Sequence, residues 1–155
     1  MDFDHRDPSL KSFRLTSGAA MLKSRNALLA EAQGCDVVCA NCHRVRTWIR
    51  HGRRSEPTGG LRDLARHRDV WRAQAKVLDG LRDVPCTDCR QRFPPCAMDF
   101  DHRDPATKEQ AVTRMIGRSG TERILAEVAK CDIVCANRHR LRTFERRVAA
   151  HLARE

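Results

Sequence analysis

The octapeptide Met-Asp-Phe-Asp-His-Arg-Asp-Pro occurs twice in this chain, at residues 1–8 and again at 98–105. Each copy is followed by a second shared block, CDVVCANCHRVRT at residues 35–47 and CDIVCANRHRLRT at residues 131–143. No other feature constrains the fold as much, because 155 residues must hold the repeated unit twice. Each unit is then only about 50–70 residues, a size at which a hydrophobic core alone is marginal and a metal or disulfide commonly adds stability. Aromatic residues make up 5% of the chain and Tyr is absent, so large side chains for a core are scarce.

Eight cysteines are many for this length. No apolar run is long enough for a signal peptide or a membrane span. A cytoplasmic, reducing setting is expected, and there metal binding is a better use of thiols than disulfides. Cys39-x-x-Cys42 and Cys86-x-x-Cys89 both have metal-knuckle spacing. The formal net charge is +10 and Arg dominates the basic residues. Guanidinium forks match phosphate geometry, so a polyanion, most commonly nucleic acid, is the expected partner, with neither a membrane nor a small-molecule substrate.

Residues 1–50 form the first unit. The stretch 51–60 is polar, with Pro57 and Gly59-Gly60, and reads as a linker. A helical stripe at Leu61, Leu64, Trp71, Ala75 and Leu78 predicts a helix that stops near Val84-Pro85. Linker and helix together cover 51–84, and 85–155 is the second unit. There Met98 and Phe100 alternate with Asp99 and Asp101, which predicts a strand ending at His102. A helix capped by Ser119 or Thr121 follows, with Ile124, Leu125 and Val128 on its apolar face. Leu28, Leu29 and Ala32 are the equivalents in the first unit. A last helix starts near Cys135 to Asn137, and its apolar positions are Leu141, Phe144, Val148 and Leu152.

Two metal sites can be drawn in the second unit. Cys86 and Cys89 would pair with ligands near Cys135 in a tetrahedral zinc site. Asp101 at the strand end and His139 on the last helix would hold a divalent cation with positions left open. His102 faces the other side of the strand, and an imidazole titrating near neutrality suits a general base.

The order Cys-x-x-Cys, Asp-His-x-x-Pro, Cys-x-x-Cys-His resembles the HNH endonucleases of the ββα-metal class. It is carried by CTDCRQRFPPCAMDFDHRDP and CDIVCANRHRLRT, and covers residues 86–145 and, in the first unit, 1–48. The resemblance implies a small metal-dependent α+β fold of two ββα-metal modules, the first incomplete, joined by a helical linker. It implies phosphodiester hydrolysis of DNA, with Mg²⁺ or another divalent cation at the reaction and Zn²⁺ in the scaffold. His102 would activate water, Asp101 and His139 would bind the catalytic ion, and Asn137 would orient the loop or ligate. Arg140 and Arg142 would clamp phosphate. The first unit's counterparts are His5, Asp4, His43, Asn41, Arg44 and Arg46. A non-catalytic, zinc-dependent DNA-binding protein derived from such a nuclease is the alternative.

Each copy departs from the pattern. Arg138 stands where the first copy has Cys42, so the second zinc site lacks a thiolate; Cys96 or Cys131 is the expected replacement. The first copy keeps Cys39 and Cys42 but has no upstream knuckle, and Met1 aligns with Met98 inside the motif. The expectations are that Met1 is an internal methionine of a longer reading frame, or else that Cys86 and Cys89 close a site shared with Cys39 and Cys42.

Overall fold

The computed structural model describes residues 1–52 and 64–154. Most of the expected linker, and Leu61, lie outside the described residues, as does the side chain of Leu64.

The two repeated blocks turn out to be each other's strand partners. In the first repeat, β1 (Asp2–His5) leads to α1 (Arg25–Gln33), β2 (Cys35–Val38) and α2 (Ala40–His51). α3 (Leu64–Arg82) precedes the second repeat, which contains β3 (Met98–His102), α4 (Val112–Met115), α5 (Thr121–Val128), β4 (Cys131–Cys135) and α6 (Ala136–Leu152). β1 pairs antiparallel with β2, placing His5 opposite Cys35 and Asp4 opposite Asp36. β3 pairs antiparallel with β4, placing His102 opposite Cys131 and Asp101 opposite Asp132. The registers are therefore equivalent. The octapeptide supplies one strand and the cysteine block supplies the other, plus the helix that follows. The first repeat's sheet forms from Asp2 onward.

Alternation along β3 sorts its side chains as the period of two requires. Met98 is buried with Cys86, Val134 and Cys135, and Phe100 packs on a second cluster of Leu78, Val112, Met115, Ile124 and Cys131. Asp99 and Asp101 take the opposite face, toward α6. α3 is more than a connector, because its Leu78 lies inside that second cluster and is 1% exposed. Gln74 of α3 also accepts the Gly117 N–H at 2.7 Å and donates to the Ser119 carbonyl at 2.9 Å. α5 starts one residue from either expected cap: Gly120 is its N-cap, and the Ser119 amide is bonded to Met115.

The last helix forms over the expected stretch but docks by the other face. Leu141, Phe144, Val148 and Leu152 are exposed. His139, Arg142 and Arg146 face the β3 aspartates instead. Charge pairing against a ladder of carboxylates, rather than apolar burial, sets this helix's orientation. The first repeat is also thinner than expected, with Leu29 exposed and Leu28 and Ala32 only half-buried.

Candidate metal centre and paired histidine sites

β3 and α6 bring His102, Asp101 and His139 to one cavity of about 200 Å³, with Asp99, Lys108 and Arg146 also on its wall. His102 is buried and its Nε2 lies 2.7 Å from Glu127 Oε1. Burial pushes the Glu127 carboxyl up, but Lys130, His102 and the amides of Glu109 and Gln110 outweigh this and hold it at about 2. An ionised carboxylate only accepts, so the shared proton sits on His102 Nε2, and Nδ1 is the basic nitrogen of the neutral ring.

His139 is oriented by the same logic. Its Nδ1 lies 2.8 Å from Asp99 Oδ2. Burial raises the Asp99 pKa, while His139 and Arg44 pull it down to about 2. The proton therefore sits on Nδ1, and the Nε2 lone pair, 3.5 Å from Asp101 Oδ1, is in the state a metal ligand needs. Asp101 is already occupied. Arg146 bonds both of its oxygens at 2.8 Å, and Arg142 adds a bond at 3.1 Å. A divalent ion held by Asp101 and His139 must displace part of that grip.

The first repeat builds the same arrangement around a cavity of about 430 Å³. His5 Nε2 lies 2.7 Å from Glu31 Oε1, and His43 Nδ1 lies 3.0 Å from Asp2 Oδ2. Asp4 is held by Arg50 at 2.7 Å and by Arg46 at 3.2 Å.

The arginines expected to clamp phosphate are thus committed to aspartates. Arg142 also bonds Asp132 at 2.9 Å and Asp88 at 2.9 and 2.5 Å, which ties the knuckle to the strand ends. Arg46 bonds Asp36 at 2.7 Å. Arg44 and Arg140 cross between repeats, to Asp99 at 2.6 Å and to Asp2 at 2.7 and 2.8 Å. By contrast Lys11, Arg14 and Lys108 line the two cavities and make no salt bridge among the described residues.

The two asparagines join the repeats to each other. Asn137 Oδ1 accepts the Ala40 N–H at 2.9 Å, and Asn41 Oδ1 accepts the Asn137 N–H at 3.1 Å. They tie the N-termini of α2 and α6 together. Hydrogen bonding from the Asn137 amide and the Cys42 N–H also lowers the Cys39 thiol to about 7.

Cys86, Cys89 and Cys135 meet with their sulfurs within 4.8 Å of one another. Sulfurs around a tetrahedral zinc stand about 3.8 Å apart, so the three thiols fit such an ion. The Cys86 thiol is cradled for it: burial raises its pKa, but the amides of Cys89, Cys135 and Asp88 outweigh that and favour the thiolate. Neither expected replacement for the fourth thiol joins the cluster. Cys131 Sγ bonds the Glu127 carbonyl and lies opposite His102, at the far end of β4 from Cys135. Cys96 is half-buried and its sulfur is outside the group. Cys39 and Cys42 form a separate pair, the Cys42 N–H meeting Cys39 Sγ at 3.5 Å, so the shared site with Cys86 and Cys89 is not what the fold brings together.

Sequence reasoning missed Glu31, Glu127, Asp2, Asp99, Arg50 and Arg146. A usable signal existed. Glu stands four residues before Cys35 and before Cys131, and Arg seven residues after His43 and His139, although the surrounding sequence differs. Comparison with protein-family models, curated proteins and solved structures finds no match to the chain.

Proposed function

We propose that this chain is a metal-dependent DNA endonuclease of the HNH class, hydrolysing phosphodiester bonds. One observation carries the reading: a buried histidine with a carboxylate behind it borders the same cavity as an aspartate and a second, carboxylate-oriented histidine, and this arrangement is built twice. His102, with its proton on Nε2, takes a proton from water at Nδ1. Glu127 fixes that tautomer and stabilises the imidazolium that forms. Asp101 and His139 Nε2 would hold a divalent cation such as Mg²⁺, which when bound supplies positive charge to the phosphoryl oxygens and the leaving oxygen. Asp99 keeps His139 in the ligating tautomer. Arg146 and Arg142, displaced from Asp101, would face the phosphate. Zinc on Cys86, Cys89 and Cys135 would fix the knuckle against β4. His5, Asp4 and His43 would play the same parts in the first repeat.

The test is nicking of supercoiled plasmid with Mg²⁺. The wild type is expected to relax the plasmid, and His102→Ala combined with His5→Ala to lose at least about 100-fold, the usual scale for a general base. A second reading has a specific observation behind it. The arginine grip on Asp101 and the three-thiol knuckle suit a non-catalytic, zinc-dependent DNA-binding protein. An inactive wild type that still binds DNA would favour that reading.

A further inference from the structure

The carboxylate that orients each distal histidine is held in turn by the other repeat. Asp99 gives Oδ2 to His139 and Oδ1 to Arg44 of the first repeat, at 2.8 and 2.6 Å. Asp2 gives Oδ2 to His43 at 3.0 Å, and both its oxygens to Arg140 of the second repeat at 2.7 and 2.8 Å. Arg44 directly follows His43, and Arg140 directly follows His139. Successive helical residues point about 100° apart, so a helix that aims its histidine at its own sheet aims the next side chain elsewhere. Here that direction is the partner repeat. The exchange is reciprocal, and it is seated on the Asn41–Asn137 tie between the same two helices. Arg140 also lines the first repeat's cavity.

We infer that Arg44 and Arg140 are positioning residues acting in trans, each fixing the Asp–His pair of the opposite repeat, so that the two cavities form one interdependent unit. Asp2 and Asp99 are mostly buried, and a guanidinium bonded to a carboxylate fixes the carboxylate's plane as well as its charge. That plane decides where the histidine's Nε2 points. The catalytic meaning of this rests on the nuclease reading; the crossed pairing does not.

The experiment uses the full chain without DNA. Long-range ¹H–¹⁵N spectra of the imidazole rings are recorded at one fixed pH for wild type, Arg44→Gln and Arg140→Gln. Arg44→Gln is expected to move the ring nitrogens of His139 more than those of its sequence neighbour His43. Arg140→Gln is expected to move those of His43 more than those of His139. If either Gln variant unfolds, the matching Lys variant keeps the charge and should show a smaller shift in the same crossed sense. Shifts confined to the adjacent histidine, or equal at both, overturn the inference. The plasmid assay is a separate arm. In a His5→Ala background Arg44→Gln should lower kcat about 10-fold or more and exceed the effect of Arg140→Gln, and in a His102→Ala background the order should reverse. A wild type that does not nick overturns the nuclease reading alone, since the ring spectra still decide the crossed pairing.

Discussion

Glu127 shows how much one side chain can organise. Its Oε1 accepts from His102 at 2.7 Å and from the amides of Glu109 and Gln110 at 2.9 and 3.4 Å, while Lys130 bonds Oε2 at 2.7 Å. Its pKa falls from 4.5 to about 2 because those donors outweigh burial. A carboxyl depressed on folding stabilises the native state above its unfolded pKa, and that contribution is lost as pH falls through the folded one. The thermal midpoint of the wild type should therefore exceed that of Glu127→Gln at about pH 5, and the gap should close between about 4.5 and 2. Melting curves of the two proteins across that range check it. Residue 138 makes a second prediction. Position 138 matches Cys42, and it follows Cys135, one of the three clustered thiols, by a single helical turn. Arg138→Cys should complete a four-thiolate site and tighten zinc at least about 10-fold, read as zinc retained per chain against a competing chelator.

At the scale of elements, α3 is seated by a glycine. Gly117 has φ +70°, and a Cβ there would lie 3.1 Å from Trp71 and 3.2 Å from His67. Gly117→Ala should cost about 1–3 kcal/mol through backbone strain and displacement of α3, measured as a lower urea midpoint. The strands were legible because Met98-Asp99-Phe100-Asp101 has a period of two and a strand's two faces must differ. The core positions of α3 were legible for the same kind of reason: Trp71, Ala75 and Leu78 are all buried. α6 was misread because periodicity identifies an amphipathic helix without saying which face docks, and here the carboxylates of β3 recruit the charged one. The repeated motif led to the expectation that His139 meets Asp101, and the two lie 3.5 Å apart. The histidine partners Glu31 and Glu127 lie outside that motif, and their shared spacing to Cys35 and Cys131 marks them as equivalent without saying that they reach a strand end 25 or 26 residues away.

For the whole molecule, a net charge of +10 coexists with arginines spent on internal ion pairs. Among the described residues, cations that face the cavities without a salt bridge include Lys11 and Lys108 of the equivalent loops, and Arg14. If these contact phosphate, Lys11→Ala with Lys108→Ala should weaken DNA binding on every sequence alike and reduce the salt slope by about 1 for each lost contact. Fluorescence anisotropy over a salt series reads both. Arg142→Ala should instead lower stability, because it leaves Asp88, Asp101 and Asp132 without their shared cation. The crossed arginines have a consequence for descent. A duplicated unit ordinarily frees one copy to decay, since the other carries on alone. Here a deletion in either copy would strip the opposite aspartate of its arginine, so each copy answers for its sibling's geometry. On the crossed pairing inferred above, repetition brings mutual dependence in place of redundancy.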